Sequence, residues 1–311
     1  MLSDSLVYVA GHRGLVGSAV WRALQEREIE TVGWSSAEVD LRNRDAAFDA
    51  VLSARPQVMV MAAARVGGIM ANATHPVDFL NDNLRIQTNL FESAHAADVE
   101  RVVFLGSSCI YPKLAPQPIP ESALLTGPLE PTNQAYAIAK IAGIEAVKSY
   151  RQQYGRRWIS VMPTNLYGPG DNFDLNSSHV LPAMIRKFHD ADAVVTLWGT
   201  GTPRREFLHS DDAASAILHL IEHYDGDQHV NIGTGEDISI RELAALVAEV
   251  VGFDGRVEWD TSKPDGTPRK LLDVSRLKGL GWAPRIGLRD GVAATCEWFT
   301  ASRQPPTPAS P

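Results

Sequence analysis

Apolar and polar positions alternate along the chain in a regular rhythm. Leu6–Ala10 (LVYVA) is a short β-rich run that stops at Gly11, and helical spacing follows from about Leu15 to Arg27. A second short run, Ile29–Trp34 (IETVGW), leads into polar sequence and a helix near Arg44–Ser53. Gln57–Ala64 (QVMVMAAA) is another apolar strand, and Pro76–Ala97 is a long amphipathic segment. Arg101–Ser108 (RVVFLGSS), a helix over Thr132–Tyr154 and the strand-like Trp158–Leu166 (WISVMPTNL) continue the series. Strands alternating with helices of this length predict βαβ units with right-handed crossovers. The expected fold class is α/β: a Rossmann-type doubly wound parallel sheet with a smaller C-terminal α/β lobe.

After Gly168 the rhythm breaks into a loop rich in Gly, Pro, Asn and Asp. A helix over Val180–Ala191, a strand at Val194–Trp198 and a loop with Arg204 and Arg205 come next. The helix DDAASAILHLIEHY, acidic in its first turn, and the strand HVNIG read as a return to the sheet. Helices near Ile240–Val251 and Leu288–Thr300 complete the pattern. The expected division is therefore 1–165 with 208–233 as the sheet domain, and 166–207 with 234–300 as the substrate lobe. The Pro-rich stretch 301–311 is expected to be a disordered tail.

Chemistry enters at the first βα turn. The sequence VAGHRGLVGSAV places Gly11, Gly14 and Gly17 three apart between a strand and a helix. Small residues there permit a tight turn and close approach of a pyrophosphate to the helix N-terminus. The loop, with His12, Arg13, Leu15 and Val16, is thus a candidate dinucleotide site. NAD sites carry an acid at the end of the second strand. Gly33-Trp34-Ser35-Ser36 has none, and Arg13 is available for a 2′-phosphate, so NADPH/NADP+ is the expected cofactor.

In QAYAIAKIAG, Tyr136 and Lys140 are four apart, on one face of a helix. A Lys ammonium beside a phenol lowers its pKa and suits it to protonate a carbonyl oxygen as hydride reaches the carbon. Ser107, at a strand end, is positioned to bond the same oxygen. Cys109 follows two residues later; taken alone, it reads as buried apolar filler. His179 taken alone reads as a helix-start residue, with Ser177 or Ser178 available to cap the helix.

Glycine loop, Ser, Tyr and Lys together resemble the short-chain dehydrogenase/reductase superfamily in its extended form, which acts on nucleotide sugars. The stretches GSSCIYPK, PTNLYGPGDNF, SSHVLPAMIRKFH, WGTGTPRREFLHSDD and SKPDGTPRKLLDVSRL are similar to those of its members that epimerise GDP-4-keto-6-deoxy-D-mannose at C3 and C5 and reduce it to GDP-L-fucose. The resemblance implies that Cys109 and His179 epimerise and that Ser107, Tyr136 and Lys140 reduce. It places Leu105, Gly106, Ser107, Ser108, Lys140, Pro163, Thr164, Asn165, Leu166 and His179 against the cofactor. Lys187, Trp198, Arg205 and Asp265 are implied for the GDP-sugar. Two departures stand out: relatives carry arginines where this chain has Trp34, Ser35 and Ser36, and Arg is commoner at Lys187. A homodimer pairing the helices at Pro76–Ala97 and Thr132–Tyr154 is also implied.

Bulk properties narrow the alternatives. A net charge of −8 argues against a nucleic-acid partner. Two distant cysteines form no disulfide framework and no zinc spacing, so no metal site and a reducing, cytoplasmic setting are expected. The N-terminus lacks the pattern of a secretory signal and no run is long enough to span a membrane, so no membrane association is expected. A 4,6-dehydratase would need a carboxylate beside Ser107, where Ser108 and Cys109 stand. A UDP-sugar 4-epimerase would hold NAD tightly and need no Cys/His pair. A non-catalytic nucleotide-binding module is the remaining alternative.

Overall fold

The structure, a computed structural model, describes residues 2–175, 177–263 and 265–303. Six strands form one sheet in the spatial order Val230–Ile232, Ile159–Pro163, Arg101–Leu105, Val58–Met61, Val7–Ala10, Thr31–Val32. Every pairing is parallel. All but the edge strand Thr31–Val32 are buried on both faces, which is why they read as unbroken apolar runs. Alternate residues still sort by face. Val7, Val9, Val60, Val103 and Val161 pack with the helices Leu15–Gln25 and Ser210–His223. Tyr8, Met59, Met61, Val102 and Phe104 pack with Pro76–Ala96 and Gln134–Tyr154.

From Val7–Ala10 the chain steps outward to Thr31–Val32, then crosses back to Val58–Met61 on the other side. That reversal opens a crevice at the carboxyl ends of the strands, where doubly wound sheets bind ligands. A separate core lies beyond it. There the helices Val180–Asp190, Ile240–Val251 and Leu288–Arg303 enclose Ile185, Phe188, Leu197, Leu243 and Phe299. The strands Val194–Trp198 and Arg256–Asp260 pair in parallel beside them.

The differences from expectation are local. The strand expected over Ile29–Trp34 shrinks to Thr31–Val32. A helix at Ile69–Thr74 and a short pairing of Asn165–Tyr167 with Phe207–His209 carry no sequence signal. Residues 301–303, expected in a disordered tail, complete the last helix, and Arg303 pairs with Asp190. The rest of that expected tail lies outside the described residues. Among the described residues, no helix is long and apolar enough to cross a membrane.

The helix Gln134–Tyr154 sits unusually close to the strand Arg101–Leu105. Gly143 makes this possible: a Cβ there would stand 2.2 Å from Cζ of Phe104. Both groups belong to a packed interior with no slack. Gly143→Ala is therefore expected to destabilise the protein by about 1–3 kcal/mol through overpacking. The check is a lower urea midpoint with an unchanged slope.

Candidate active site

The strand Arg101–Leu105 delivers the central groups. Gly106 ends it by donating its N–H to the Val161 carbonyl at 2.9 Å. Ser107 then turns extended and caps the single 3-10 turn Ser108–Ile110. Its hydroxyl accepts from the Cys109 N–H at 3.4 Å. The turn buries Ser108 and Cys109 at the sheet's carboxyl edge.

The helix Gln134–Tyr154 supplies Tyr136 and Lys140 to the same point. Lys140 is 3% exposed, and its Nζ donates to the Leu105 carbonyl at 2.8 Å. It also lies 4.9 Å from the Phe104 ring centroid and 5.8 Å from that of Tyr136. Burial lowers its pKa to about 8, with the Cys109 charge opposing. The Tyr136 phenol rises above its ordinary value, chiefly through burial, then through Cys109; Ser107, within hydrogen-bonding reach, works the other way. In the resting site burial outweighs the expected lowering of the phenol by Lys140, whose ammonium donates to the Leu105 carbonyl and lies 5.8 Å from the phenol ring centroid. The phenol is held protonated, as a proton donor must be.

Cys109 sits among cations. Burial raises its thiol pKa, while Lys270, Ser107 and Lys140 pull it down. Lys270 was not singled out in the sequence. It comes in on the two-residue strand Arg269–Lys270, paired with Arg204–Arg205. Its charge also lowers the imidazole of His179, after burial of that ring by the surrounding protein. Lys270 therefore links the two groups implied in epimerisation. A two-residue strand has no periodicity, so only the PRKLLD motif could have pointed to it.

His179 stands on the helix Val180–Asp190 as its N-cap, and no side chain caps that helix. The serine cap considered from sequence does not form: Ser177 donates to Asp174 at 3.1 Å instead. The preceding loop is fixed from across the crevice, where the Gly68 N–H donates to the Ser177 carbonyl at 3.0 Å.

Neighbouring arginines point opposite ways. Arg204 pairs with Asp237 at 2.8 Å and Glu242 at 3.5 Å, away from the site. Arg205 turns inward, where burial lowers its pKa and Asp265 opposes that effect. Asp265 itself accepts from the Thr200 N–H and hydroxyl at 2.7 and 2.8 Å, so it braces the turn after Trp198. Trp198 is half exposed beside Lys263, 5.7 Å from its ring centroid. Lys187 donates to the Thr196 carbonyl at 2.9 Å, two residues from Trp198.

The residues Pro163–Leu166 leave the sheet beside the central groups. The Thr164 N–H donates to the Ile232 carbonyl at 2.9 Å, and the Asn165 amide donates to the Glu206 carbonyl at 2.8 Å. Asn165 thereby ties this turn to the Arg205 strand.

The glycine loop fits a dinucleotide. A Cβ on Gly17 would lie 2.0 Å from the Gly11 carbonyl oxygen, so the loop closes only without side chains. The helix Leu15–Gln25 begins at Gly14 with no side-chain cap, which leaves its first N–H groups, at Leu15 and Val16, for an anion. Arg13 makes no salt bridge among the described residues. No acid stands at Gly33–Ser36, but one returns to this point from beyond it. Glu38 folds back onto Ser35 through a tight turn, accepting from its N–H at 2.7 Å and its hydroxyl at 2.6 Å. The S-x-x-E spacing of a capping box was the available signal.

Comparison with known proteins agrees with this geometry. Residues 7–233 match the NAD dependent epimerase/dehydratase family. The chain is 56% identical over 299 residues to GDP-L-fucose synthase 1 of Arabidopsis thaliana, covering 94% of this chain and 92% of that one. It is 53% identical over 312 residues to GDP-L-fucose synthase of Escherichia coli, with 96% and 97% covered. The solved structure of a GDP-L-fucose synthetase from Naegleria fowleri bound to NADP superposes with a TM-score of 0.90 at 29% identity, covering 97% and 94%. The chain belongs to the NAD dependent epimerase/dehydratase family and, within it, to the GDP-L-fucose synthases.

Proposed function

We propose that this enzyme converts GDP-4-keto-6-deoxy-D-mannose to GDP-L-fucose, inverting C3 and C5 and then reducing the C4 ketone. The observation that carries the reading is the convergence at one strand end of a Ser–Tyr–Lys set with a cysteine in a field of lysines.

The C4 ketone acidifies the hydrogens on C3 and C5. Cys109, as thiolate, takes one of these protons; Lys270 and Lys140 are the cations that favour its charge against burial. The pair of electrons passes to the ketone oxygen, giving an enolate, and His179 returns a proton to the opposite face. Burial and the Lys270 charge lower the imidazole pKa, so His179 must take up a proton before it donates, and once protonated it is a strong acid. Both carbons flank the same ketone, so one acid–base pair serves both inversions once the thiol has given up its proton to solvent and the imidazole has regained one between them.

NADPH supplies the hydride for the final reduction. Tyr136 gives its phenolic proton to the C4 oxygen, and Ser107 donates a hydrogen bond to that oxygen. The phenolate left behind is stabilised by the Lys140 ammonium, provided Lys140 is charged. Lys187 and Arg205 offer cations to the diphosphate, Arg in bidentate form and Lys as a point charge. Trp198 offers a half-exposed indole beside them.

The partner reading adds a homodimer. The helices Pro76–Ala96 and Gln134–Tyr154 lie side by side, with Val77 and Ile138 exposed on their outer faces. Two such pairs facing across a two-fold axis would form a four-helix bundle. A reducing, cytoplasmic setting is part of this reading, supported by two cysteines too far apart in sequence to suggest a disulfide framework.

The two half-reactions should separate by mutation. Cys109→Ser is expected to abolish deuterium incorporation from solvent at C3 and C5 while NADPH binding persists. Tyr136→Phe should retain that incorporation and slow NADPH oxidation by about 10²–10⁴-fold. NMR of the recovered sugar nucleotide reads the first result and absorbance the second. Incorporation unchanged in Cys109→Ser would refute the role of the thiol.

Reduction should also respond to pH. Lys140 is charged below a pKa of about 8, well under the ordinary lysine value. The kcat for reduction is therefore expected to hold below pH 8 and to fall as pH rises through it. Lys140→Arg, whose charge persists, should lose that alkaline limb at whatever rate remains.

A further inference from the structure

Past the end of the second strand a carboxylate closes a tight turn. Gly33 packs on the glycine loop so closely that a Cβ would stand 2.8 Å from Nδ1 of His12. The following turn thus abuts His12 and Arg13. In a doubly wound dinucleotide fold this is the place of the adenosine ribose and its 2′ substituent. The turn offers two donors there, the N–H and hydroxyl of Ser35. Both are taken by one oxygen of the Glu38 carboxylate, at 2.7 and 2.6 Å. The turn is closed again by the Glu38 N–H and Val39 N–H on the Ser35 carbonyl, at 3.0 and 2.9 Å. Glu38 is exposed, and the charges of Arg13 and His12 reach it.

We infer that Glu38 is a specificity-determining residue for the cofactor, holding with its carboxylate the donors that a 2′-phosphate would use. A ribose 2′-hydroxyl can donate to that carboxylate, as in NAD sites. A 2′-phosphate must instead displace it from Ser35 or sit beside it, with Arg13 as the permanent cation, since burial and Arg13 hold the His12 imidazole below its ordinary pKa. Ser36 and Trp34 bring no further cation. The preference of this enzyme for NADPH over NADH is thereby held lower than Arg13 alone would set it. The inference rests on the reading of the glycine loop as the dinucleotide site.

The test is calorimetric binding of NADPH and of NADH to the intact protein, without substrate. Glu38→Gln keeps an amide oxygen for Ser35, so the turn is retained while the charge is lost. It is expected to raise the ratio of NADPH to NADH affinity about fivefold at low salt, as removal of one like charge at short range predicts. The gain should shrink in high salt, where exposed charges are screened. Arg13→Gln is the companion variant and should cost NADPH affinity while sparing NADH. If Arg13→Gln behaves so but Glu38→Gln leaves the ratio within about twofold of the parent, the inference about Glu38 fails and the dinucleotide site stands. If neither variant moves the ratio, the 2′ position lies elsewhere and both are overturned.

Discussion

A single buried bond sets the geometry on which the site depends. The Lys140 ammonium has left water and donates to the carbonyl of Leu105. A buried cation is costly unless it is well satisfied. Here one carbonyl and the face of Phe104 do that work, so the helix cannot slide along the strand without stranding the charge. Gly143, one turn further on, lets the two elements approach. The strand end carries Ser107 and Cys109, and the helix carries Tyr136. Their mutual placement is thus a consequence of where Lys140 is tied.

The electrostatics follow a sorting rule. The chain is acidic, yet cations collect inside the crevice: Lys140, Lys270 and Arg205 all titrate lower because they are buried there. Many cations of the outer surface are paired instead: Asp237 holds both Arg204 and Arg269, and Glu242 adds a second contact to Arg204. Net charge therefore says little about the sign of the site. What decides it is which cations are buried at the crevice without a carboxylate in direct contact.

The fold was legible where burial was complete. The strands at Val7–Ala10, Val58–Met61 and Arg101–Leu105 are apolar on both faces, and the long helices repeat at helical spacing, so both kinds of element announce themselves. Elements of two or three residues cannot do so. Asn165–Tyr167 and Arg269–Lys270 exist because tertiary partners pair with them. Of the site, Ser107, Tyr136 and Lys140 were readable from spacing, whereas Cys109 and His179 gained meaning only from the resemblance. Which of Arg204 and Arg205 faces inward depends on which side of a strand is covered, and no local pattern states that. Glu38 lies beyond the strand end in sequence, and only the turn brings it back onto Ser35, three residues earlier.

The link between Gly68 and the Ser177 carbonyl has a further consequence. Gly68 belongs to the segment that leaves the strand Val58–Met61, whereas His179 heads a helix of the other core. One side of the crevice carries the imidazole, and the other side indexes where its approach loop must end. The bond thus ties the approach loop of His179 to the sheet core that carries Cys109. The spacing between the two sides of the crevice is set at this point by one backbone bond, which no side-chain substitution removes directly.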